Sequence, residues 1–142
     1  MTLKSFALLL FSLTCLSAAR AQRPPAGINF YDGTVASAVA EAKKEKKLVF
    51  FDAYASWCGP CRYMDSVIYS DREVGKFFNQ HFISIRVNME KGEGPLLAKK
   101  YGSINGYPSL LFLDGDGMAI KTLLGSRSKS ALLGEARLSL VN

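Results

Sequence analysis

Cysteine and histidine are scarce in this chain, whose 142 residues include three cysteines and one histidine. A zinc site needs about four ligands, whereas this chain offers Cys58, Cys61 and the distant His81. We therefore predict no metal site. Charge is also sparse, since charged residues make up 21% of the chain and hydrophobic residues 49%. This balance excludes a disordered chain and leaves enough apolar material for the core of one domain.

The chain has no apolar run of the roughly 20 residues that a membrane-spanning helix requires. The run FALLLFSLTCL occupies residues 6–16, follows Lys4 and precedes the small-x-small pattern Ala19-Arg20-Ala21. These features predict a signal peptide over residues 1–21 that is cleaved on export. We expect the remaining domain, residues 22–142, to be periplasmic or secreted.

Cleavage changes both the charge and the cysteine count. The whole chain has 18 Lys and Arg against 12 Asp and Glu, a net charge of +6, and removal of Lys4 and Arg20 lowers it to 16 minus 12, or +4. That surplus is too small to indicate nucleic-acid binding. Cys15 leaves with the signal peptide, because the residues before it form a poor lipobox. Only Cys58 and Cys61 then reach the oxidising compartment.

Hydrophobic periodicity along residues 22–142 predicts the order helix, strand, helix, strand, helix, strand, strand, helix. The predicted elements are a helix through Val35–Ala42 capped by Asp32 or Thr34, a strand at Leu48–Phe51, two helical segments or one kinked helix from Cys61 to Phe78 with a capping box at Ser70 and Glu73, a strand at Phe82–Val87, a short helix after Gly94-Pro95, a hairpin of Ser109–Leu113 and Met118–Leu124, and a helix within Ser128–Leu140. This order is typical of an α/β fold with a central mixed sheet that starts parallel, ends in an antiparallel hairpin and is flanked by helices.

Two charged stretches have ordinary structural explanations. The lysine cluster Lys43–Lys47 lies at the predicted end of the first helix, where the helix dipole and solvent favour cations. The segment Asp114-Gly115-Asp116-Gly117 is predicted to be a turn and not a calcium loop. Met118 and Ala119 stand where such a loop needs an oxygen ligand and a glycine.

The sequence Trp57-Cys58-Gly59-Pro60-Cys61 lies where a buried strand ends and a helix begins, the setting of a redox-active Cys-x-x-Cys pair. Unpaired N–H groups and the dipole at a helix N-terminus stabilise a thiolate, so we expect the pKa of the Cys58 thiol to lie below its free value. Cys58 is predicted to be the attacking nucleophile. Cys61 is predicted to attack the mixed disulfide that Cys58 forms and to release the product. Pro60 suits the first helical turn because no N–H is needed there.

A purely structural disulfide between Cys58 and Cys61 remains an alternative, although a bridge across three residues constrains little of the unfolded chain. Trp57 and Tyr54 are expected to flank and shield the sulfurs, and simple core packing would equally explain either side chain.

The segment Phe51-Asp52-Ala53-Tyr54-Ala55-Ser56-Trp57-Cys58-Gly59-Pro60-Cys61, followed by Gly106-Tyr107-Pro108-Ser109, resembles the thioredoxin superfamily. The resemblance covers residues 30–140. Within the superfamily the chain is similar to exported thioredoxin-like domains, including the C-terminal reductase domain of the transmembrane thiol-electron transporter. The resemblance implies a thioredoxin-like fold and a protein-disulfide oxidoreductase with no cofactor beyond the Cys58–Cys61 disulfide.

By position, the resemblance makes Asp52 the buried carboxylate beneath the active site and the third catalytic residue. A desolvated carboxyl holds its proton tightly and is suited to take the proton of Cys61. The alternative is a salt-bridged aspartate at the end of the strand. Arg86 stands where thioredoxins often carry a lysine, and arginine would favour the charged carboxylate.

The resemblance also implies a substrate-binding set, which consists of Trp57, Gly59, Pro60, Tyr107 and Pro108. Pro108 matches the family's cis-proline, which would turn the backbone of Tyr107 outward so that a substrate segment can pair with it as a strand. Without the resemblance, an ordinary trans proline starting the strand Ser109–Leu113 would be preferred. Tyr107 is an unusual residue before that proline.

We expect a monomeric reductase of cysteine-containing protein substrates that is recharged by a membrane-embedded thiol electron donor. Gly59 and Pro60 favour the reducing direction, because no histidine between the cysteines stabilises the thiolate further. Two alternatives stay open. One is a disulfide oxidase or isomerase of secreted proteins, and the other is a non-catalytic binding or chaperone module.

Overall fold

The structure is a computed structural model that describes residues 26–141. The predicted signal peptide and Cys15 lie outside these residues. The elements in chain order are α1 (Val35–Glu45), β1 (Leu48–Tyr54), α2 (Gly59–Tyr63), the π-helical turn π1 (Met64–Ile68), α3 (Arg72–His81), β2 (Phe82–Asn88), α4 (Gly94–Lys100), β3 (Ser109–Leu113), β4 (Ala119–Leu124) and α5 (Lys129–Ser139). No helix within residues 26–141 is long and apolar enough to cross a membrane.

The four strands form one mixed sheet in the order β2-β1-β3-β4. Strand β1 pairs parallel with β2 and antiparallel with β3, and β3 and β4 form the closing antiparallel hairpin. The predicted α/β class, with a sheet that starts parallel and ends in a hairpin, is therefore confirmed.

Two apolar clusters cover the two faces of the sheet, because successive side chains of a strand point to opposite faces. Buried residues of α1, α4 and one face of the strands form the first cluster, and those of π1, α3, α5 and the other face form the second. The first includes Val35, Ala38, Ala42, Phe51, Ile85, Leu97, Tyr101 and Leu111. The second includes Phe50, Met64, Tyr69, Phe78, Phe112 and Leu132. The central strand β1 is thus buried on both sides.

Strand β1 continues to Tyr54, three residues beyond the predicted end at Phe51. The apolar pattern stops at Asp52, and for this reason the sequence prediction ended too early. Asp52 and Ala53 nevertheless pair with residues of both β2 and β3. Backbone pairing on both sides carries the strand past its charged residue.

The start of α3 differs from the predicted capping box of Ser70 and Glu73. Asp71 is the N-cap, and its Oδ1 accepts from the backbone N–H groups of Glu73 (2.9 Å) and Val74 (3.1 Å). The Ser70 hydroxyl instead donates to the carbonyl of Ser66. A carboxylate at the N-cap accepts two orphan N–H bonds and carries the charge that the helix dipole favours, so it displaces the serine.

A short N-terminal segment, residues 27–31, lies along the free edge of β2. The backbone N–H of Tyr31 donates to the carbonyl of Ser84 at 2.7 Å, and that of Ile28 donates to the carbonyl of Tyr69 at 2.8 Å. The segment approaches α3 at Gly75, where an added Cβ would collide with the carbonyl group of Gly27. This contact requires glycine in the middle of a helix.

Two helical glycines provide a matched test of that contact. Gly75→Ala should lower the free energy of unfolding by about 1 to 3 kcal/mol, because the new methyl group collides with the backbone of Gly27. Gly134→Ala in α5 should raise it by about 0.5 to 1 kcal/mol, because a Cβ there meets nothing within 4 Å and alanine favours the helix. Urea unfolding measures both changes, and equal effects of the two substitutions would contradict the close approach.

Candidate active site

Cys58 and Cys61 are joined by a disulfide bond at the N-terminus of α2, with an S–S distance of 2.06 Å. Cys58 is the N-cap residue, and its sulfur accepts a hydrogen bond of 3.1 Å from the backbone N–H of Cys61. Both cysteines are buried, so exposure does not distinguish them. Their positions on the helix do, because only the Cys58 sulfur occupies the capping position.

The local sequence accounts for this helix start. The backbone N–H of Cys58 donates to the carbonyl of Ala55 at 3.2 Å, which turns the chain after β1 ends at Tyr54. Pro60 stands in the first turn of α2, where its missing N–H costs no hydrogen bond. The sulfurs pack against Ala55, Tyr54 and Tyr107.

An aromatic rim lies beside the disulfide. Trp57 is 66% exposed, its indole Nε1 donates to Glu90 Oε1 at 2.9 Å, and its ring meets that of Tyr107 edge-on at 5.9 Å. The peptide bond between Tyr107 and Pro108 is cis, and Pro108 is buried. The structure thus brings Trp57 and Tyr107 into contact with each other, and Tyr107 also packs against the two cysteines. The other two predicted substrate-binding residues, Gly59 and Pro60, are exposed on α2.

Asp52 has a fully buried side chain on β1. Its Oδ2 accepts from Arg86 Nε at 2.8 Å, and its Oδ1 has no hydrogen-bond partner among residues 26–141. Burial raises the pKa of Asp52 to about 6, since the ionised form is poorly solvated there, and Arg86 only partly opposes this effect. Asp52 is therefore both desolvated and salt-bridged, and its catalytic role stays a prediction.

Arg86 stands opposite Asp52 in the pairing of β2 with β1. Its guanidinium carbon lies 4.6 Å from the ring centre of Tyr54, 5.5 Å from that of Phe30 and 5.6 Å from that of Tyr69. Such contacts stabilise a cation through the negative faces of the rings. Its Nη1 donates to Asp65 Oδ1 on π1 at 2.5 Å.

Tyr69 follows π1 directly and is almost fully buried, with its ring edge-on to those of Phe30 and Phe50. Its hydroxyl is near enough to the Asp52 carboxylate to lower the pKa of Asp52, without the geometry of a hydrogen bond. Burial, followed by the charge of Asp52, raises the pKa of Tyr69 well above its ordinary value. Tyr69 therefore stays a neutral phenol.

Three neighbours of the site were not found from the sequence, namely Asp65, Tyr69 and Glu90. Asp65 lies four residues after Cys61, a helical spacing that would have placed it on the same face of the chain. Its partner Arg86 is 21 residues away. The Trp57–Glu90 contact spans 33 residues, and no local pattern signals such a pair.

The arrangement is suited to thiol-disulfide exchange. It contains a sulfur that accepts a backbone N–H at a helix start, a second sulfur within bonding distance and a buried carboxyl group in the strand that leads to them. Within residues 26–141 no three His, Cys, Asp or Glu side chains are grouped as metal ligands would be. The two sulfurs are the redox-active groups of this arrangement.

The chain belongs to the thioredoxin-like family, whose model matches residues 29–115, and it is a thiol-disulfide oxidoreductase with the pair Cys58–Cys61. The thioredoxin of Streptomyces clavuligerus is 33% identical over 94 residues, which cover 66% of this chain and 80% of that protein. The predicted fold and superfamily are confirmed.

Two solved structures show the same relationship. A proposed disulphide-isomerase from Bacteroides thetaiotaomicron, determined in solution, is 36% identical with a TM-score of 0.71, covering 83% of this chain and 97% of that one. The oxidised C-terminal domain of DsbD from Neisseria meningitidis is 26% identical with a TM-score of 0.62, covering 78% of this chain and 99% of that one. The resemblance to this domain, predicted from the sequence, is thereby confirmed.

Asp52 should make stability depend on pH in a direction opposite to that of most surface carboxylates. Its folded-state pKa of about 6 exceeds the ordinary value of 3.8. Between these values the folded protein keeps a proton that the unfolded chain has lost, so the free energy of unfolding falls as pH rises. The integrated loss is about 3 kcal/mol and is nearly complete by about pH 7.

Asp52→Asn should remove this loss, because an amide does not titrate. Urea unfolding at about pH 4 and about pH 7 should show the variant gaining about 2 kcal/mol relative to the native protein over that interval. Asp116→Asn, which removes an exposed carboxylate from the turn between β3 and β4, is the control and should not reproduce the gain. A difference between native and Asp52→Asn protein that is the same at both pH values would refute the raised pKa.

Proposed function

We propose that this protein is an exported reductase that transfers electrons from its Cys58–Cys61 dithiol to disulfides of other proteins. The hydrogen bond from the Cys61 backbone to the Cys58 sulfur carries the proposal, because it is aimed at the sulfur that must become anionic to attack. The same N–H would stabilise the free Cys58 thiolate of the reduced protein before it attacks.

Each turnover consists of two exchange steps. The Cys58 thiolate attacks one sulfur of a substrate disulfide, which forms a mixed disulfide and releases the other substrate sulfur as a thiolate. Cys61 loses its proton and attacks the Cys58 sulfur, which forms the Cys58–Cys61 disulfide and releases the second substrate sulfur. The substrate gains two electrons and the enzyme loses two. Asp52 accepts the proton of Cys61, a role to which a carboxyl with a pKa of about 6 is suited.

The exposed surface beside the disulfide supports a protein substrate. Trp57 offers a broad apolar face, and Glu90 holds its ring in place. Gly59 and Pro60 leave little side-chain bulk over the sulfurs. Tyr107 and Pro108 end the loop before β3, where an extended substrate segment would pair with the backbone as an added strand.

Export and the reducing direction are supported by the sequence. Residues 1–21 have the pattern of a signal peptide. Gly59 and Pro60 place no extra cation near the Cys58 sulfur, which leaves the thiolate less stabilised and the dithiol more reducing. A reductase in an oxidising compartment must be recharged, and the likeness to the C-terminal domain of DsbD supports a membrane-embedded thiol donor.

A disulfide isomerase is the second candidate, favoured by the likeness to the Bacteroides thetaiotaomicron protein described as one. Both candidates use the same sulfurs and differ in the stability of the dithiol against the disulfide. A non-catalytic binding module, in contrast, would need neither sulfur.

The order of the two steps predicts which cysteine holds the substrate. Cys61→Ser, expressed as the full chain in an exporting bacterium, should accumulate covalent adducts through Cys58, because the resolving thiol is missing. Non-reducing electrophoresis and mass spectrometry identify the adducts and show whether the chain starts at Gln22. Cys58→Ser is the matched control and should trap far less. Equal trapping by both variants, or none by either, would exclude the proposed order.

The redox potential separates reductase from isomerase or oxidase. Equilibration of the purified domain with glutathione or dithiothreitol should give a value near the thioredoxin end of the family range, about −270 mV, and not near the oxidising end of about −120 mV. Alkylation followed by mass spectrometry measures the reduced fraction. A value in the oxidising half of that range would contradict a reductase.

A further inference from the structure

Three charged side chains form a row that leads from the core to the surface beside α2. The side chain of Asp52 is fully buried, that of Arg86 is 19% exposed and that of Asp65 is 56% exposed. Arg86 Nε lies 2.8 Å from Asp52 Oδ2, and Arg86 Nη1 lies 2.5 Å from Asp65 Oδ1. The guanidinium thus stands between the buried carboxyl group and solvent, with one carboxylate on each side.

Three aromatic rings surround the guanidinium group of Arg86. The rings of Tyr54, Phe30 and Tyr69 all lie within 5.6 Å of its guanidinium carbon. The backbone of Arg86 is fixed by the pairing of β2 with β1. Among these rings the guanidinium is held by its ion pairs with Asp52 and Asp65.

The π-helical turn π1, which follows α2, positions Asp65 beside Arg86. The backbone N–H of Tyr69 donates to the carbonyl of Met64 at 2.7 Å, which closes the wide turn. Because of this turn, the Asp65 carboxylate lies at one edge of the Arg86 guanidinium, and the Tyr69 ring lies against the face of the guanidinium. Wide turns of this kind are rare and occur frequently at functional sites.

We propose that Asp65 is a positioning residue that holds Arg86 on its outer edge and thereby sets the pH at which the buried Asp52 exchanges its proton. Asp65 would act through Arg86 and would touch neither sulfur nor substrate. Its relevance to catalysis rests on the proposed function, in which Asp52 accepts the proton of Cys61. The control of Asp52 by Asp65 is independent of that function.

The direction of the effect follows from the groups that face Asp52. Arg86 faces Asp52 from β2, Asp65 acts on it from π1, and Tyr69 acts on it from the position directly after π1. Its partner in β3 is the apolar Leu110. Loss of the Asp65 charge removes a repulsion from the Asp52 carboxylate. It also leaves Asp52 as the one carboxylate that pairs with Arg86 among the described residues. Both changes favour the ionised form of Asp52.

The first experiment follows the titration of Asp52 itself in the oxidised protein. Carbon-13 NMR of the side-chain carboxyl groups, assigned with Asp52→Asn, should show Asp52 titrating about one pH unit lower in Asp65→Asn than in the native protein. Asp65→Glu keeps the charge and should restore most of the native titration. Asp116→Asn removes an exposed carboxylate that pairs with Lys43, and it should leave the Asp52 titration unchanged.

The second experiment measures the resolving step. The reduced domain is mixed with an aromatic disulfide reagent in stopped flow, and the second release of thiolate reports the attack of Cys61 on the mixed disulfide. At about pH 5 this release should be about fivefold faster in Asp65→Asn than in the native protein, because a larger fraction of Asp52 is ionised. At about pH 8, where Asp52 is ionised in both proteins, the two rates should agree within about twofold.

The two readouts separate the inference from the proposed function. An Asp52 titration that is unmoved in Asp65→Asn, or moved equally in Asp116→Asn, would overturn the inference. A lowered titration with an unchanged second release would support the control of Asp52 by Asp65, and would count instead against Asp52 as the proton acceptor of Cys61.

Discussion

The hydrogen bond from the backbone of Cys61 to the sulfur of Cys58 is the interaction around which this molecule is organised. It exists because Cys58 is the last residue before a helix, where the first N–H groups have no carbonyl partners in the helix. A sulfur at that position receives both a hydrogen bond and the favourable end of the dipole. The turn after β1 and the proline in the first helical turn bring Cys58 there.

The central strand connects this helix start to the buried charge. Strand β1 is paired on both edges and covered on both faces, so the Asp52 side chain is fully buried while its partner Arg86 is 19% exposed. Replacing a buried ion pair by apolar residues often leaves stability unchanged or improves it. We therefore interpret the Asp52–Arg86 pair through the proposed transfer of the Cys61 proton to Asp52, and the exposed Asp65 through the control of Asp52 that we infer for it.

The sequence was sufficient for the α/β order, the hairpin, the redox helix and the family, because each has a local signal. Apolar runs show the strands, and Cys58 with Cys61 after a buried run shows the site. Where local signals conflicted, the prediction was wrong in detail. Strand β1 was ended at Phe51 because a charged residue follows, and Ser70 was preferred to Asp71 as a cap. Pairing on both sides and a stronger acceptor decided these cases.

By itself the sequence predicted the chemistry, since Cys58 and Cys61 at a helix start, together with the family resemblance, indicate thiol-disulfide exchange. Only the tertiary structure decided the surroundings of those sulfurs. The family resemblance already related Arg86 to Asp52, but the contacts Arg86–Asp65 and Trp57–Glu90 join residues 21 and 33 positions apart, and they form where strand, turn and loop meet. Residue types and their spacing along the chain do not predict such contacts. Electrostatic and hydrogen-bond contacts depend on distances in space, and those distances are set by the fold.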